Sequence, residues 1–403
     1  MSEDLSKTTV AKKTFFFDNL RCFFAGIVEA GFKNFAFVIA IRVFHASSHM
    51  KSFTVSAMYM GFFVTPIFRA LAVRSKMTTM QISAIYMLIV ASLIVLATFM
   101  TSCTYYIIPM LCAMILFRQP IPLMEDVYGQ NYPANERGRR LSTALMILPL
   151  SALLLSPALG KILDINLKTY KLVLLVIAMA AVGESISFRN IPARVLPEQN
   201  GKSIFSNFDL IFTDKLFGKM LCCLILAGMA NRIIIPLRVE YLVNPKYDIK
   251  ATVFFETLVC LTIPYAFRVL SSRVWGKIFD KTKLTTTLVI LNCMLIFNFL
   301  VFFHTSSNTI ISIISVLTGI AFGGKEIIWS LWLTKLAPID KLSAYAGVSF
   351  AISGLCGIIS PHIGYFLLRY LSIQQISILA SFLTLLSTIG FLLLSRQLHK
   401  AKC

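Results

Sequence analysis

Stretches of about 20 predominantly apolar residues, the length that crosses ~30 Å of hydrocarbon as an α-helix, alternate along this chain with short polar breaks. Six such stretches fall at 20–44, 52–73, 81–100, 105–124, 142–164 and 172–188, and six more at 218–243, 252–271, 285–303, 309–335, 343–369 and 374–396. A segment in lipid must satisfy its own backbone hydrogen bonds, so each stretch predicts a helix. Most breaks are short, as at Thr101–Thr104, so consecutive helices are antiparallel. The longest polar stretch, 189–217, contains Arg189, Pro192, Arg194, Pro197, Glu198, Asn200 and Gly201. Proline, glycine and mixed charge there oppose a spanning helix and mark a linker. The apolar Ile204–Phe212 within it predicts a short amphipathic helix on the membrane surface. The expected organisation is an N-terminal segment 1–19, a six-helix bundle 20–188, the linker 189–217, a second bundle 218–396 and a tail 397–403.

Composition agrees with an all-α polytopic membrane protein of twelve transmembrane helices. The chain is 57% hydrophobic and 14% charged, with mean hydropathy +0.78, outside the range of soluble domains. A net charge of +20 would suit nucleic acid, but the basic residues sit on alternate loops. With the N-terminus inside, the inner segments carry Lys12, Lys13, Arg74, Lys76, Arg137, Arg139, Arg140, Arg189, Arg194, Lys202, Arg273, Lys281, Lys283, Lys335, Lys341 and Lys400. The outer loops hold Lys51, Lys168, Lys171, Lys246, Lys250 and little else. This is the positive-inside asymmetry: it predicts both termini in the cytoplasm, a multi-pass protein of the cytoplasmic (inner or plasma) membrane, and no nucleic-acid partner. The polar first dozen residues and the lack of a small-residue cleavage site read as a retained first helix rather than a removable signal. The 9 Cys lie mostly in apolar spans, as Cys112, Cys222, Cys223, Cys260, Cys293 and Cys356 do, without metal-like spacing, and read as small core residues.

The two sets of six helices are related. IFRALAVRSKMTTMQI from Ile67 aligns without a gap with VWGKIFDKTKLTTTLV from Val274, matching Arg74 with Lys281, Lys76 with Lys283 and Thr78-Thr79 with Thr285-Thr286. Ser156-Pro157-Ala158-Leu159-Gly160 recurs as Ser360-Pro361-His362-Ile363-Gly364, Leu141-Ser142 as Leu342-Ser343, and Ala25-Gly26 as Ala227-Gly228. Echoes that keep their order at nearly constant spacing indicate a duplicated unit.

Six plus six helices with a central linker resemble the major facilitator superfamily, and the loop after the eighth helix resembles its G-x-x-x-D-R/K motif through Gly276, Asp280 and Lys281. The resemblance spans nearly the whole chain and places the motif between the second and third helices of a half, where that family has it. It implies two pseudo-symmetric six-helix bundles, a central substrate cavity lined by the first and fourth helices of each half, and a cytoplasmic gate at the motif. The glycine would allow close helix packing, and the aspartate would cap a helix and pair with a cation. In the first half Arg74 keeps the basic residue, but Arg69 stands in place of the glycine and Val73 in place of the aspartate; in the second half Lys283-Leu284-Thr285 replaces the trailing Gly-Arg-Lys.

Charges in mid-span carry the candidate chemistry. An Arg, Lys or Asp there costs roughly 2.5–3.5 kcal/mol on insertion scales and therefore faces a polar cavity or a partner. Helix 1 holds Glu29 and Lys33, helix 4 Arg118, helix 7 Arg232, and helix 10 Lys325 and Glu326. Glu184, Arg238, Glu240 and Glu256 lie nearer a membrane face, where side chains reach water. Glu29 and Lys33, four apart, share a helical face and serve equally as a structural ion pair or as transport residues. Arg118 resembles the family's arginine on the fourth helix, although Gln119-Pro120 departs from its R-x-x-Q-G pattern. Lys325 is the repeat equivalent of Arg118, and Arg232 lies one residue from that of Glu29. Lys33, Arg118, Arg232 and Lys325 against Glu29 and Glu326 leave a positive surplus, which an anionic solute relieves and a cationic drug worsens. Glu29 and Glu326 are then the candidate proton carriers.

Other motifs carry less. Gly319 to Lys325 reads G-x-x-x-x-G-K, but Glu326 follows in place of Ser or Thr and no strand precedes, so the ATPase loop is only imitated. Trp329 and Trp332 read as packing. Ser-Pro-x-x-Gly in helices 5 and 11 resembles part of an antiporter pattern whose upstream glycines are missing in helix 5; Pro157 and Pro361 mark bends. The expectation is a non-enzymatic, monomeric secondary transporter of a small, anionic organic solute, coupled to protons or a counter-substrate and needing no cofactor or metal. Multidrug efflux is the alternative within transport, and a membrane-embedded enzyme or a non-transporting receptor the alternatives outside it. The five histidines (His45, His49, His304, His362 and His399) are scattered, and no H-E-x-x-H occurs to support an enzyme.

Overall fold

The computed structural model describes residues 2–195, 208–249, 251–338 and 341–400. Twelve helices in it are long and apolar enough to cross a membrane: α1 (Thr9–Arg42), α2 (Ser48–Arg74), α3 (Thr79–Phe99), α4 (Cys103–Asn131), α5 (Glu136–Ile165), α6 (Leu167–Asn190), α7 (Lys215–Val243), α8 (Val253–Lys281), α9 (Leu284–Phe303), α10 (Asn308–Trp329), α11 (Ala344–Leu367) and α12 (Ile373–Arg396). The protein is an all-α, multi-pass membrane protein. Of the expected surface helix 204–212, residues 204–207 lie outside the described residues, as do Pro197, Glu198, Asn200 and Gly201; Leu210–Thr213 forms one helical turn ahead of α7.

Polar residues at the loop edges start these helices by taking up orphan N–H groups. Ser47 accepts from Met50 N at α2. At α3, Thr78 and Gln81 form a reciprocal capping box. Asp214 accepts from Leu216 N and Phe217 N at α7. At α8 all of the first four N–H groups are satisfied: Val253 and Phe254 donate to the Asp164 carboxylate at 2.6 and 2.7 Å, Phe255 donates to Thr252 Oγ1 and Glu256 to Thr252 O.

Three spans are irregular inside. α1 widens to a π-helix over Gly31–Phe35, and α8 over Leu258–Thr262. α4 breaks at Arg118-Gln119, because Pro120 cannot continue the hydrogen-bond ladder. The freed Ile115 carbonyl accepts instead from the Gln119 side chain at 2.7 Å.

The chain divides into two compact units, one of Met1–Asn200 with Thr252–Thr262, the other of Gly201–Ala251 with Ile263–Cys403. In the first, α1 packs on α5 and α6, α3 on α4 and α6, and α2 on α4. In the second, α7 packs on α11 and α12, α9 on α10 and α12, and α8 on α10. The pairings are the same with six added to each label, so the sequence echoes correspond to a repeated helix arrangement. Small residues set the close approaches: a Cβ at Gly319 would lie 2.6 Å from Pro264 O, and one at Gly323 2.9 Å from Arg268 O. The imitated ATPase motif is therefore a helix-packing stripe inside α10. Trp332 is buried and stacks on Phe217, and Trp329 meets Phe350 edge-on, so both pack as expected.

Candidate functional site

In the first unit α1, α2 and α4 bring three of the expected residues together. Glu29 pairs with Lys33 one turn on, and its other oxygen lies 3.9 Å from Arg118 Nη1. Gly61 lets α4 come close: a Cβ there would lie 2.9 Å from Ile115 O and 3.0 Å from Arg118 Cβ. The Gln119 side chain, donating to Gly61 O at 3.0 Å, fixes the broken turn that carries Arg118. The guanidinium lies over the rings of Phe62 and Phe117 at 5.3 and 5.4 Å and touches Met58 Sδ at 3.7 Å. Its Nε is buried without a hydrogen-bond partner. Arg118 is held by rings and one long ion pair, an arrangement that leaves donors for an incoming acceptor.

In the second unit, Arg232 on α7 donates to Ser353 on α11. Its guanidinium folds back over Gly228, where a Cβ would meet Nη1 at 2.9 Å. Lys325 is half-buried and forms no hydrogen bond or ion pair with the described residues, and Arg232 is near enough to repel it. Glu326 takes a different course: it is exposed and pairs with Arg268 of α8 at 2.9 Å. The acid adjacent to Lys325 in sequence is thus engaged elsewhere, since neighbours on a helix point about 100° apart.

Four charges set aside in the sequence as water-reaching are buried: Glu184, Arg238 and Glu240 are 3%, 6% and 3% exposed, and Glu256 is 0%. Each has protein partners in place of water. Arg238 binds Asn298 and Thr318 and lies over Phe302. Glu240 accepts from Tyr365 and Asn244. Glu184 faces Arg21, which also pairs with Asp18 at 2.9 Å, and Tyr128 donates to Asp18 at 3.1 Å. Glu256 accepts from Asn34 at 3.1 Å. The missed signal was the partner set: Asp18, Arg21, Asn34, Asn298 and Thr318 are polar residues inside or beside apolar runs.

Solved structures share this architecture at low identity. The nucleoside transporter NupG aligns with a TM-score of 0.74 at 11% identity, over 96% of this chain and 98% of its own. A POT family transporter in complex with 5-aminolevulinic acid gives 0.71 at 13%, over 96% of both chains. A bacterial homologue of the human lysosomal transporter Spinster, inward-facing and unoccupied, gives 0.65 at 12%, over 98% of both. This is the major facilitator superfamily fold. No family model and no curated protein matches the chain in sequence.

The residues that resemble the facilitator motif stand largely apart from their neighbours. No atom lies within 4 Å of a Cβ built at Gly276. Asp280, Lys281 and Arg74 are exposed and form no ion pair with the described residues. The nearby helix end is tied instead by Lys335, whose ammonium binds the Phe279 and Thr282 carbonyls. In the first unit Arg69, at the motif's glycine position, reaches Asp126 at 3.8 Å.

Proposed function

We propose that this chain is a secondary active transporter of a small, anionic organic solute, working by alternating access in the cytoplasmic membrane with both termini inside. Its functional domains are the two six-helix bundles, 20–188 and 218–396. One observation carries the solute's charge: among the described residues Lys325 has no counter-ion, Arg232 repels it, and Glu326 is engaged with Arg268. Each unit offers its own cations, Arg118 in the first and Arg232 with Lys325 in the second. An ammonium held among apolar helices is relieved by an anion. Carboxylated and phosphorylated metabolites fit this demand, and the 5-aminolevulinic acid held by the POT family neighbour supports a carboxylated one.

The drive is a proton or a counter-substrate, and the chain acts as a monomer without a cofactor. Reconstitution into proteoliposomes with a panel of labelled anions, with and without a proton gradient, tests the reading. Arg118→Gln and Lys325→Gln should each weaken uptake by about 10- to 100-fold, the value of a charge-assisted hydrogen bond, while the protein stays folded. Unchanged uptake by both variants, or uptake of cations alone, would refute the anion assignment.

A further inference from the structure

Glu256 is fully buried, and among the described residues no cation acts on its carboxyl group. Its Oε2 accepts from Asn34 Nδ2 at 3.1 Å and from Thr257 Oγ1 at 3.4 Å. Oε1 is sealed from water and takes no hydrogen bond. The Cys260 thiol also bonds to the carboxyl, and the Asp164 carboxylate faces it; neither is a cation. Lys161 of α5 is exposed, Lys33 of α1 is paired with Glu29, and no other described cation of α1 or α5, Arg42 included, acts on the carboxyl. An ionised carboxylate in such a place carries a desolvation cost of several kcal/mol that these hydrogen bonds return only in part, so the seam favours the neutral acid.

The position of this acid gives the proton a consequence. Residues 252–262 belong to the first unit, whereas the remainder of α8, from Ile263, belongs to the second. The segment is docked within the first unit by three contacts. Asp164 caps its first two N–H groups, Thr257 and Phe254 lie against Gly160, and Asn34 binds Glu256 and Thr257. A Cβ at Gly160 would lie 2.9 Å from Thr257 Oγ1, so the approach is close. Both sides of the Asn34–Glu256 contact are π-helical or border a π-helix, at Gly31–Phe35 and Leu258–Thr262. Such segments hold looser backbone ladders and recur at functional sites.

We propose that Glu256 is a proton-binding site, and that its proton holds the segment 252–262 docked against α1 and α5. Losing the proton places an unpaired negative charge beside Asp164 in an apolar seam, and the segment leaves it. The sign follows from linkage: docking that favours the neutral acid is complete at low pH and is lost as pH rises through the titration of the docked carboxyl. This extends the proposed transport function by naming a proton carrier other than Glu29 and Glu326. It rests on that function only for what the released segment accomplishes.

The test is hydrogen–deuterium exchange of the 252–262 peptide in the full-length protein in lipid nanodiscs, from about pH 5 to 9 and corrected for intrinsic exchange. One linked proton makes the protection of this peptide fall by about tenfold per pH unit on the alkaline side. Peptides from α3 and α6 should show no such fall. Glu256→Gln, which keeps the shape and the Asn34 contact without a titrating proton, should keep the segment protected throughout. A wild-type protein as flat in pH as the α3 and α6 peptides overturns the proposal whether or not any variant folds. A Glu256→Gln protein that titrates like wild type overturns it as well. The measurement needs no solute, so anion uptake with flat exchange would defeat the proton site alone, and titrating exchange without uptake would defeat the transport reading alone.

Discussion

Arg21 binds two acids with one guanidinium. Asp18 is 0% and Glu184 3% exposed, and the arginine reaches the first at 2.9 Å and the second at 3.9 Å while lying over the Phe188 ring. The Tyr128 hydroxyl donates to Asp18 and accepts from Arg21 at 3.3 Å, completing the arginine fork. Truncation to Arg21→Ala would leave two carboxyl groups buried without a cation, which costs about 3–5 kcal/mol. Arg21→Lys keeps the charge but not the fork and should fall between alanine and wild type. Thermal unfolding of the purified variants measures this, and an alanine variant that melts with wild type would contradict it. Asp18 lies just ahead of the apolar run that begins at residue 20, whereas the helix extends back to Ser2 and buries it. Arg118 and Lys325 stand out in the sequence because each interrupts a long apolar run. Glu184 and Glu256 lie near a membrane face yet are buried, because the helical face rather than depth along the span decides burial.

At the level of the helix, glycine has opposite meanings in α8 and α10. Gly319 and Gly323 lie one turn apart on α10 and admit α8, with an added Cβ meeting Pro264 O, Phe267 Cβ or Arg268 O at 2.6 to 2.9 Å. Backbone carbonyls cannot rotate away, so Gly319→Val or Gly323→Val should force the helices apart and destabilise the second unit by about 1–3 kcal/mol or more. Gly276 meets nothing within 4 Å, and Gly276→Ala should be neutral or stabilising by about 0.5–1 kcal/mol, because alanine restricts the unfolded chain and favours helix. Melting temperatures of the three variants check both statements; a stable Gly319→Val would show that α8 and α10 yield at this crossing. The element count was legible in hydropathy alone, while the ends were not. The helix of α5 starts at Ala134 rather than 142, with the Glu136–Arg140 pair at 2.6 Å along its first turns, and α4 runs on to Asn131. Hydropathy marks the thickness of the lipid, and helices continue past it wherever polar side chains pair along them.

At the level of the whole chain, the duplicated phrases and the duplicated packing support each other, yet their loops have diverged. Thr78 caps α3 with a reciprocal bond to Gln81 after Lys76 adopts a left-handed conformation at φ 55°, whereas α9 starts after Lys283 with no side-chain cap. The repeat therefore specifies which helices pair and leaves the connecting turns free to drift. Orientation rests on a different property, the partition of Lys and Arg between alternate loops, because translocating a basic loop is opposed during insertion. The α2–α3 turn carries Lys76 close to Arg74, and the first residues of α6 carry Lys168 and Lys171; Lys76 and Lys168 are exposed. Single cysteines in place of these two lysines should report opposite sides. In intact cells a membrane-impermeant maleimide should label Lys168→Cys above the wild-type background and reach Lys76→Cys only after permeabilisation. The reverse pattern would put the basic loops outside and with them both termini, because twelve spans return the chain to the side on which it began. Labelling of both sites in intact cells would instead mean a mixed topology, the result expected if the lysine and arginine asymmetry were too weak to decide insertion.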